Sequence, residues 1–322
     1  MSPTPEGRRP DRDAAVAPPA GSSPAGGAKA ARFTVGRLTC WMLEGGLQRL
    51  DGGAMFGVVP KPLWSRRTPA DDRNRIILAL RCLLVEHPDG LVLVDAGLGN
   101  KENARFRDIY GVENDGVTGY TALDDALHEA GHSAAEVKWV VNTHLHFDHA
   151  GGNTALNAGG ETVLAFPNAT YVVQKGELDF ASHRNERTAA SYLPPNFAPV
   201  AAASRWRLVV GEVAVLPGLH LLPTPGHVPF HQSVLVTSGG ESACFLADLV
   251  PTSAHLPAPW IMGYDLEPLV TLETKKRLLT QAAREHWQLV FEHDPAVARA
   301  RLAEDAEHGY APEPVDTVRV GA

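Results

Sequence analysis

Within six consecutive positions the chain places His144, His146, Asp148 and His149, directly after the apolar run Val137-Lys138-Trp139-Val140-Val141. Imidazole nitrogens and carboxylate oxygens are the ligands of divalent metals, so the cluster points to a metal site and to hydrolysis. His144 and His146 are two apart, and on an extended backbone both rings leave the same face and can grip one ion. Asp148 and His149 follow where the chain must turn, which redirects them toward a second ion beside the first. Ala150, Gly151 and Gly152 are small enough to let neighbouring backbone pass close by.

Four side chains cannot complete two coordination shells, so further ligands must come from other elements. His227, Asp248 and His293 each close an apolar, strand-like run: Leu219-His220-Leu221-Leu222, Ala243-Cys244-Phe245-Leu246-Ala247 and Leu289-Val290-Phe291. Packed strands that end on one side deliver their terminal side chains to a shared crevice. This reading assigns His144, His146 and His227 to a first ion and Asp148, His149 and His293 to a second, with Asp248 bridging them. Zinc suits such a set, and manganese, cobalt or iron is compatible with it. Asp95 lacks a neighbouring histidine and is read as orienting a ligand or a loop. His231 is read as structural, and His255 as a structural residue in competition with a place in the pocket.

The elements that must position these groups are legible as a mixture of strands and helices. Strands are expected over Phe33 to Leu43, Ile76 to Glu86, Leu91 to Asp95, Val137 to Val141 and Thr170 to Gln174. Further strands are expected at Trp206 to Val210, Val213 to Leu216, Leu219 to Leu222, Gln232 to Thr237, Ser242 to Ala247 and Gln288 to Phe291. His87-Pro88-Asp89-Gly90 has hairpin-turn chemistry. Helices are expected over Thr121 to Ala130 with Thr121 as N-cap, Lys175 to His183, Val270 to Arg284, and Pro295 to Glu304 with Pro295 in the first turn. Asp51 to Pro60 holds so many glycines and prolines that it reads as a loop. Such mixing places helices outside sheets.

With 322 residues and 44% hydrophobic content, the chain can bury a substantial core. Its net charge of -8 offers no basic surface to nucleic acid or to an anionic membrane, so neither is expected as a partner. No apolar run is long enough to span a bilayer. Cys40, Cys82 and Cys244 are an odd, scattered trio and read as core residues, not as disulfides. Residues 1–30 are rich in Pro, Ala, Gly and Ser and read as a disordered tail, leaving 31–322 as a single hydrolase domain. Arg8-Arg9 is not followed by an apolar stretch, so an export signal is unsupported and a cytoplasmic location is expected. A homodimer is compatible with the sequence but not specified by it.

His144-Leu145-His146-Phe147-Asp148-His149, taken with Thr224-Pro225-Gly226-His227, Asp248 and His293, resembles the metallo-β-lactamase superfamily. The resemblance covers roughly residues 31 to 310. It implies an α/β fold, a four-layer αββα sandwich with a dinuclear metal site at the sheet edges. The stretch from Asp51 to Trp64, with Pro259-Trp260, Tyr264-Asp265 and Phe291-Glu292-His293-Asp294-Pro295, is similar to one branch of it. That branch contains quorum-quenching N-acyl-homoserine lactone lactonases and methyl parathion hydrolase. Some of these lactonases carry a tyrosine three positions after the bridging aspartate that contacts the lactone. Here that position is Pro251, and Tyr264 is the candidate to compensate.

The chemistry so implied is hydrolysis of a small-molecule lactone or ester. Two divalent ions, roughly 3.5 to 4 Å apart, lower the pKa of a shared water toward about 7 and supply hydroxide for attack on the carbonyl. Asp148 and Asp248 are the expected catalytic carboxylates. Met55, Phe56 and Trp64, together with His255, Trp260 and Tyr264, are candidates for the substrate pocket, with core burial as the competing reading for the apolar ones. An organophosphate triesterase is the nearest alternative, because attack at phosphorus uses the same two ions. A non-catalytic metal-bearing binding protein is the alternative of another class, and the full set of seven ligands argues against it.

Overall fold

The computed structural model describes residues 28–306 and 308–316. The first sheet begins with β1 (Ala30–Val35), β2 (Leu38–Asp51), β3 (Arg75–His87), β4 (Gly90–Val94) and β5 (Val137–Val141). A small hairpin of β6 (Thr154–Leu156) and β7 (Thr162–Leu164) stands apart from it. β8 (Thr170–Gln174) and β9 (Trp206–Val209) then complete the order β1-β2-β3-β4-β5-β8-β9. The second sheet follows the chain: β10 (Val213–Leu216), β11 (Leu219–Pro223), β12 (Gln232–Ser238), β13 (Glu241–Phe245), β14 (Gln288–Val290), β15 (Arg299–Asp305) and β16 (Gly309–Asp316). The helices are α1 (Gly52–Phe56), α2 (Lys61–Arg67), α3 (Ala104–Ile109), α4 (Ala122–Glu129), α5 (Phe147–Ala150), α6 (Lys175–Ser182), α7 (Ala198–Ala202) and α8 (Pro268–Arg284).

The two sheets pack face to face. Met42, Leu83, Val85 and Val94 from the first meet Leu221, Val234, Val236 and Phe245 from the second in one core. The outer face of the first sheet buries Cys82, Leu84 and Leu93 against Leu123, Ala126 and Leu127 of α4. The outer face of the second buries Cys244 and Leu289 against Leu278, Leu279 and Ala282 of α8. Central strands such as β3 are therefore buried on both faces, which is why their sequences read as unbroken apolar runs. The layers are helix, sheet, sheet, helix, and the three cysteines lie buried within them.

Four local expectations are corrected. Phe33 to Leu43 is not one strand, because Gly36 takes φ 54° and turns the chain so that β1 and β2 pair antiparallel. Asp51 to Pro60 is not all loop. The Asp51 carboxylate accepts from Ala54 N at 2.8 Å and caps α1, which Gly57 ends at φ 56°. Pro295 to Glu304 is not a helix. Asp294 Oδ1 accepts from Ala296 N and Val297 N at 2.8 Å each to make a turn, after which β15 lies between β14 and β16. Pairing on both sides overrode a helical pattern there, and β16 was not anticipated. Most of the tail expected over 1–30 lies outside the described residues; Ala30 itself opens β1.

Close backbone approach at the end of β5 does depend on glycine. A Cβ on Gly152 would fall 2.0 Å from Ala96 O, and one on Gly151 would fall 2.1 Å from Leu98 O. The segment after β4 thus presses directly on the turn that follows His149. Gly152→Ala should lower unfolding free energy by about 1–3 kcal/mol in urea titration. Wild-type stability in that variant would show that the two segments can part without cost.

Candidate metal centre

Five strands run out at one rim, and each is followed by a polar side chain aimed into the same crevice. Asp95 follows β4; His144, His146, Asp148 and His149 follow β5; His227 follows β11, Asp248 follows β13 and His293 follows β14. α5 begins at Phe147 and supplies the turn that carries Asp148 and His149 away from His144 and His146. Ala247 holds φ 46°, a left-handed conformation rare for a residue with a Cβ, immediately before Asp248.

The crevice gathers two groups whose ligand atoms lie within 4.8 Å of one another: His144, His146, His227 and Asp248 in one, Asp148, His149 and His293 in the other. Asp248 lies between them. Its Oδ2 is 3.0 Å from His227 Nε2, 3.5 Å from His149 Nε2 and 3.8 Å from His144 Nε2. Its Oδ1 is 3.1 Å from His293 Nε2. All seven sequence-selected residues therefore meet at one place.

These donors fit divalent cations on the structure's own terms. His144 Nε2 is buried with no hydrogen-bond partner among the described residues. His227 Nε2 stands 3.1 Å from His146 Nδ1, and His293 Nε2 stands 3.3 Å from His149 Nε2. Imidazole nitrogens crowded together inside a protein, with their lone pairs converging, are what a cation resolves. Electrostatics divides the rings. Burial and neighbouring imidazoles hold His144 and His146 well below the usual range. Burial also disfavours charge on His227 and His293, but Asp248 outweighs it and lifts them to about 10 and about 9.

The outward nitrogens of the rings are held from behind. Asp265 Oδ1 takes His227 Nδ1 at 2.9 Å, and Thr271 Oγ1 donates to Asp265 Oδ2 at 2.6 Å. His149 Nδ1 lies 3.1 Å from both Asp95 Oδ2 and Glu292 Oε2, while Asp95 also accepts from Thr143 N and Oγ1. His293 Nδ1 donates to Ala79 O at 2.8 Å. Gln48 Nε2 donates to Asp148 Oδ2 from β2. Glu177 Oε1 accepts from Leu145 N and from Tyr192 Oη, at 2.9 Å each, which fixes the backbone between His144 and His146. Asp95 thus has the orienting position expected of it. Gln48, Glu177 and the support given by Asp265 and Glu292 were not anticipated. A polar Gln48 inside a strand was the one available signal, whereas the others depend on contacts between distant segments.

A cavity of about 390 Å³ opens over these groups. His146, Asp148, His227, Asp248 and His293 form its floor, and Leu50, Met55, Leu78, Met262 and Leu266 give it an apolar side. Tyr110, Tyr264 and Arg187 also line it. Of the six expected pocket residues, Met55 and Tyr264 reach this cavity. Phe56 and Trp64 do not: they are fully buried in a cluster behind the wall, stacked on each other at 5.3 Å, with Trp260 edge-on to Phe56. His255 is buried as well, stacked on Phe56 with ring centroids 4.5 Å apart. Their side chains were needed to back the wall, since α1 and α2 cover the end of the sheet.

Orientation by Asp265 carries a consequence. Asp265→Ala frees His227 Nδ1 inside the protein and should weaken metal binding by about 10–100-fold, read by chelator competition. Unchanged affinity would mean that His227 is held by packing alone.

The model of the metallo-β-lactamase superfamily matches residues 80–293. An N-acyl homoserine lactonase of a Bacillus species is 30% identical over 227 residues, covering 67% of this chain and 82% of that protein. A solved structure described as a probable metal-dependent hydrolase from Staphylococcus aureus has a TM-score of 0.79 at 29% identity, over 88% of this chain and 99% of that one. A structure of a Bacillus thuringiensis AiiA variant with N-decanoyl-L-homoserine bound at the active site has a TM-score of 0.61 at 26% identity, over 81% and 94%. The converging histidines and aspartates, the layered sheets that carry them and these likenesses agree: the chain belongs to the metallo-β-lactamase superfamily and is a metal-dependent hydrolase.

Proposed function

We propose that the enzyme is a dinuclear lactonase that opens N-acyl homoserine lactones or closely related lactones and esters. The observation that carries this reading is Asp248, whose carboxylate lies between the two histidine groups, 3.0 Å from His227 of the first and 3.1 Å from His293 of the second. In the proposed arrangement His144, His146 and His227 hold one ion, Asp148, His149 and His293 the other, and Asp248 both. Zinc is the expected metal, as is usual in the superfamily. When bound there, a pair of divalent ions supplies hydroxide at neutral pH and offsets charge on the carbonyl oxygen.

The chain's own groups divide the remaining work. Gln48 donates to Asp148 Oδ2 and so fixes the carboxylate that would serve the second ion, while Asp248, between the two groups, is the one we assign to pass a proton to the departing ring alkoxide. The apolar side of the cavity is suited to an acyl chain, and 390 Å³ is within the range of small-molecule sites. Burial pushes the Tyr264 hydroxyl up to about 12, so it stays protonated at neutral pH and able to donate. We assign to it the lactone contact that Pro251 cannot make. The names of the Bacillus relative and of the ligand in the AiiA structure support the lactone class.

Two measurements test the proposal. Metal analysis should find about two ions per chain, with metal and activity lost together in His146→Ala; full activity in that variant would remove the site assignment. On metal-replete enzyme, kcat/KM for acyl-homoserine lactones should exceed that for paraoxon-like triesters by at least about 100-fold, with aryl esters between them. The reverse order would make the enzyme a phosphotriesterase, and no turnover of any of the three would overturn the lactonase reading.

A further inference from the structure

Between Asp248 and α8 the chain runs through residues 249–267 with no strand and only short helical turns, yet this segment supplies Met262, Gly263 and Tyr264 to the cavity. Backbone carbonyls in such a stretch have no ladder to satisfy them and need donors from elsewhere. Lys275, on the inner face of α8 and 1% exposed, provides three. Its Nζ donates to His255 O at 2.9 Å, Pro257 O at 3.0 Å and Trp260 O at 2.8 Å. An ammonium has three N–H bonds, and here each has a carbonyl. Burial pushes this lysine down to about 7, against a partial opposing effect of Asp265, so the three carbonyl dipoles are what make a charged residue tolerable there.

The clamp extends to the opposite wall. Thr252 Oγ1 lies 2.7 Å from His255 Nδ1, and His255 Nε2 lies 2.8 Å from Met55 O. A carbonyl only accepts, so Nε2 carries the proton and Nδ1 accepts from the threonine. The His255 ring therefore ties the Lys275-bound segment to α1. Gly263 N donates to Ala54 O at 2.8 Å and makes a second tie between the same two segments. Ala54, Met55, Met262, Gly263 and Tyr264 all line the cavity.

We propose that Lys275 is a positioning residue for the substrate pocket, acting through His255 and the carbonyls of 255–260 to fix the wall where α1 meets residues 262–264. It touches neither the metal-binding groups nor the cavity. The inference rests on the cavity being the substrate site, as proposed above. An apolar residue of similar length would fill the same volume in α8 but leave three carbonyls without a donor, and the segment would loosen.

Lys275→Met is the direct test, with His255→Phe as an independent variant that keeps the stack on Phe56 and removes the bond to Met55 O. With the best substrate of the lactone and aryl-ester panel, Lys275→Met should raise KM by about tenfold and leave kcat within about twofold. Metal content should be unchanged. His255→Phe should give a smaller rise in KM, and the double variant should be no worse than Lys275→Met, since both act in one network. Amide hydrogen exchange should quicken in 52–57 and 252–264 and stay unchanged in 143–150. That exchange measurement needs no substrate, so it separates failure of this inference from failure of the lactonase reading. Loss of metal or of kcat in parallel with KM would overturn the proposal, as would a lowered melting temperature with KM and local exchange unmoved. If Lys275→Met does not fold, an unchanged KM in His255→Phe overturns it equally.

Discussion

The molecule is organised around a buried carboxylate. Asp248 lies in a crevice where an unpaired charge would cost several kcal/mol, and it is tolerated only because positive or metal-binding groups face it from both sheets. His144 and His149 come from the first sheet, and His227 and His293 from the second. Among the described residues the strands of one sheet do not pair with those of the other; apolar packing, this polar rim and a few backbone bonds at the strand ends, such as Ala79 N to His293 O and Gln232 N to Thr143 O at 3.1 Å each, join them. The same arrangement explains the ring of supports. Each imidazole that turns one nitrogen inward must satisfy the other, and Thr143, Asp95, Glu292, Asp265 and Ala79 O do so for His144, His149, His227 and His293. Once the outer nitrogens are fixed, ring rotation is lost and the inner nitrogens converge without choice.

The strain at Ala247 belongs to the same logic. A residue with a Cβ at φ 46° is costly, by an amount of order 1–3 kcal/mol, and persists where the surroundings leave no alternative. Here β13 must end, turn within two residues and present Asp248 toward the first sheet. Leu246 and Leu249 on either side are buried in the layer against α8, so the backbone cannot relax without pulling apolar side chains out of the core.

How far the sequence reveals this follows from how local each determinant is. The candidate metal-binding groups after β5 are readable because four of them share six positions, and those at His227, Asp248 and His293 because each ends an apolar run. α4 was readable from Thr121, whose capping box with Asp124 is entirely local. What failed was non-local. The stretch after Pro295 is strand because β14 and β16 flank it, which no window of neighbouring residues records. Phe56, Trp64, Trp260 and His255 were chemically suited to a pocket, but their burial behind Met55 depends on how α1 folds over the sheet end. Gln48 and Glu177 reach their partners across 100 and 32 positions. Types and spacing could name the groups that bind; the groups that hold them required coordinates.

Floor and wall of the cavity are accordingly built by different means. The floor stands on strand ends, so the position of each candidate metal-binding group is set by sheet packing and changes little without disturbing the core. The wall is made from α1, the turn at Arg187–Ser191 and residues 262–266, which have no ladder of their own and are joined by isolated bonds: Arg187 Nη2 to Gly263 O, Gly263 N to Ala54 O, His255 Nε2 to Met55 O. On the proposed function, hydrolysis is a property of the floor, and the choice among lactone, ester and triester is a property of the wall. A fold that separates the two can change substrate by altering a few loop contacts while the metal-binding groups stay where they are. On the proposal made for Lys275, the residues governing specificity are not confined to those lining the cavity but include the buried groups that give an irregular wall one shape.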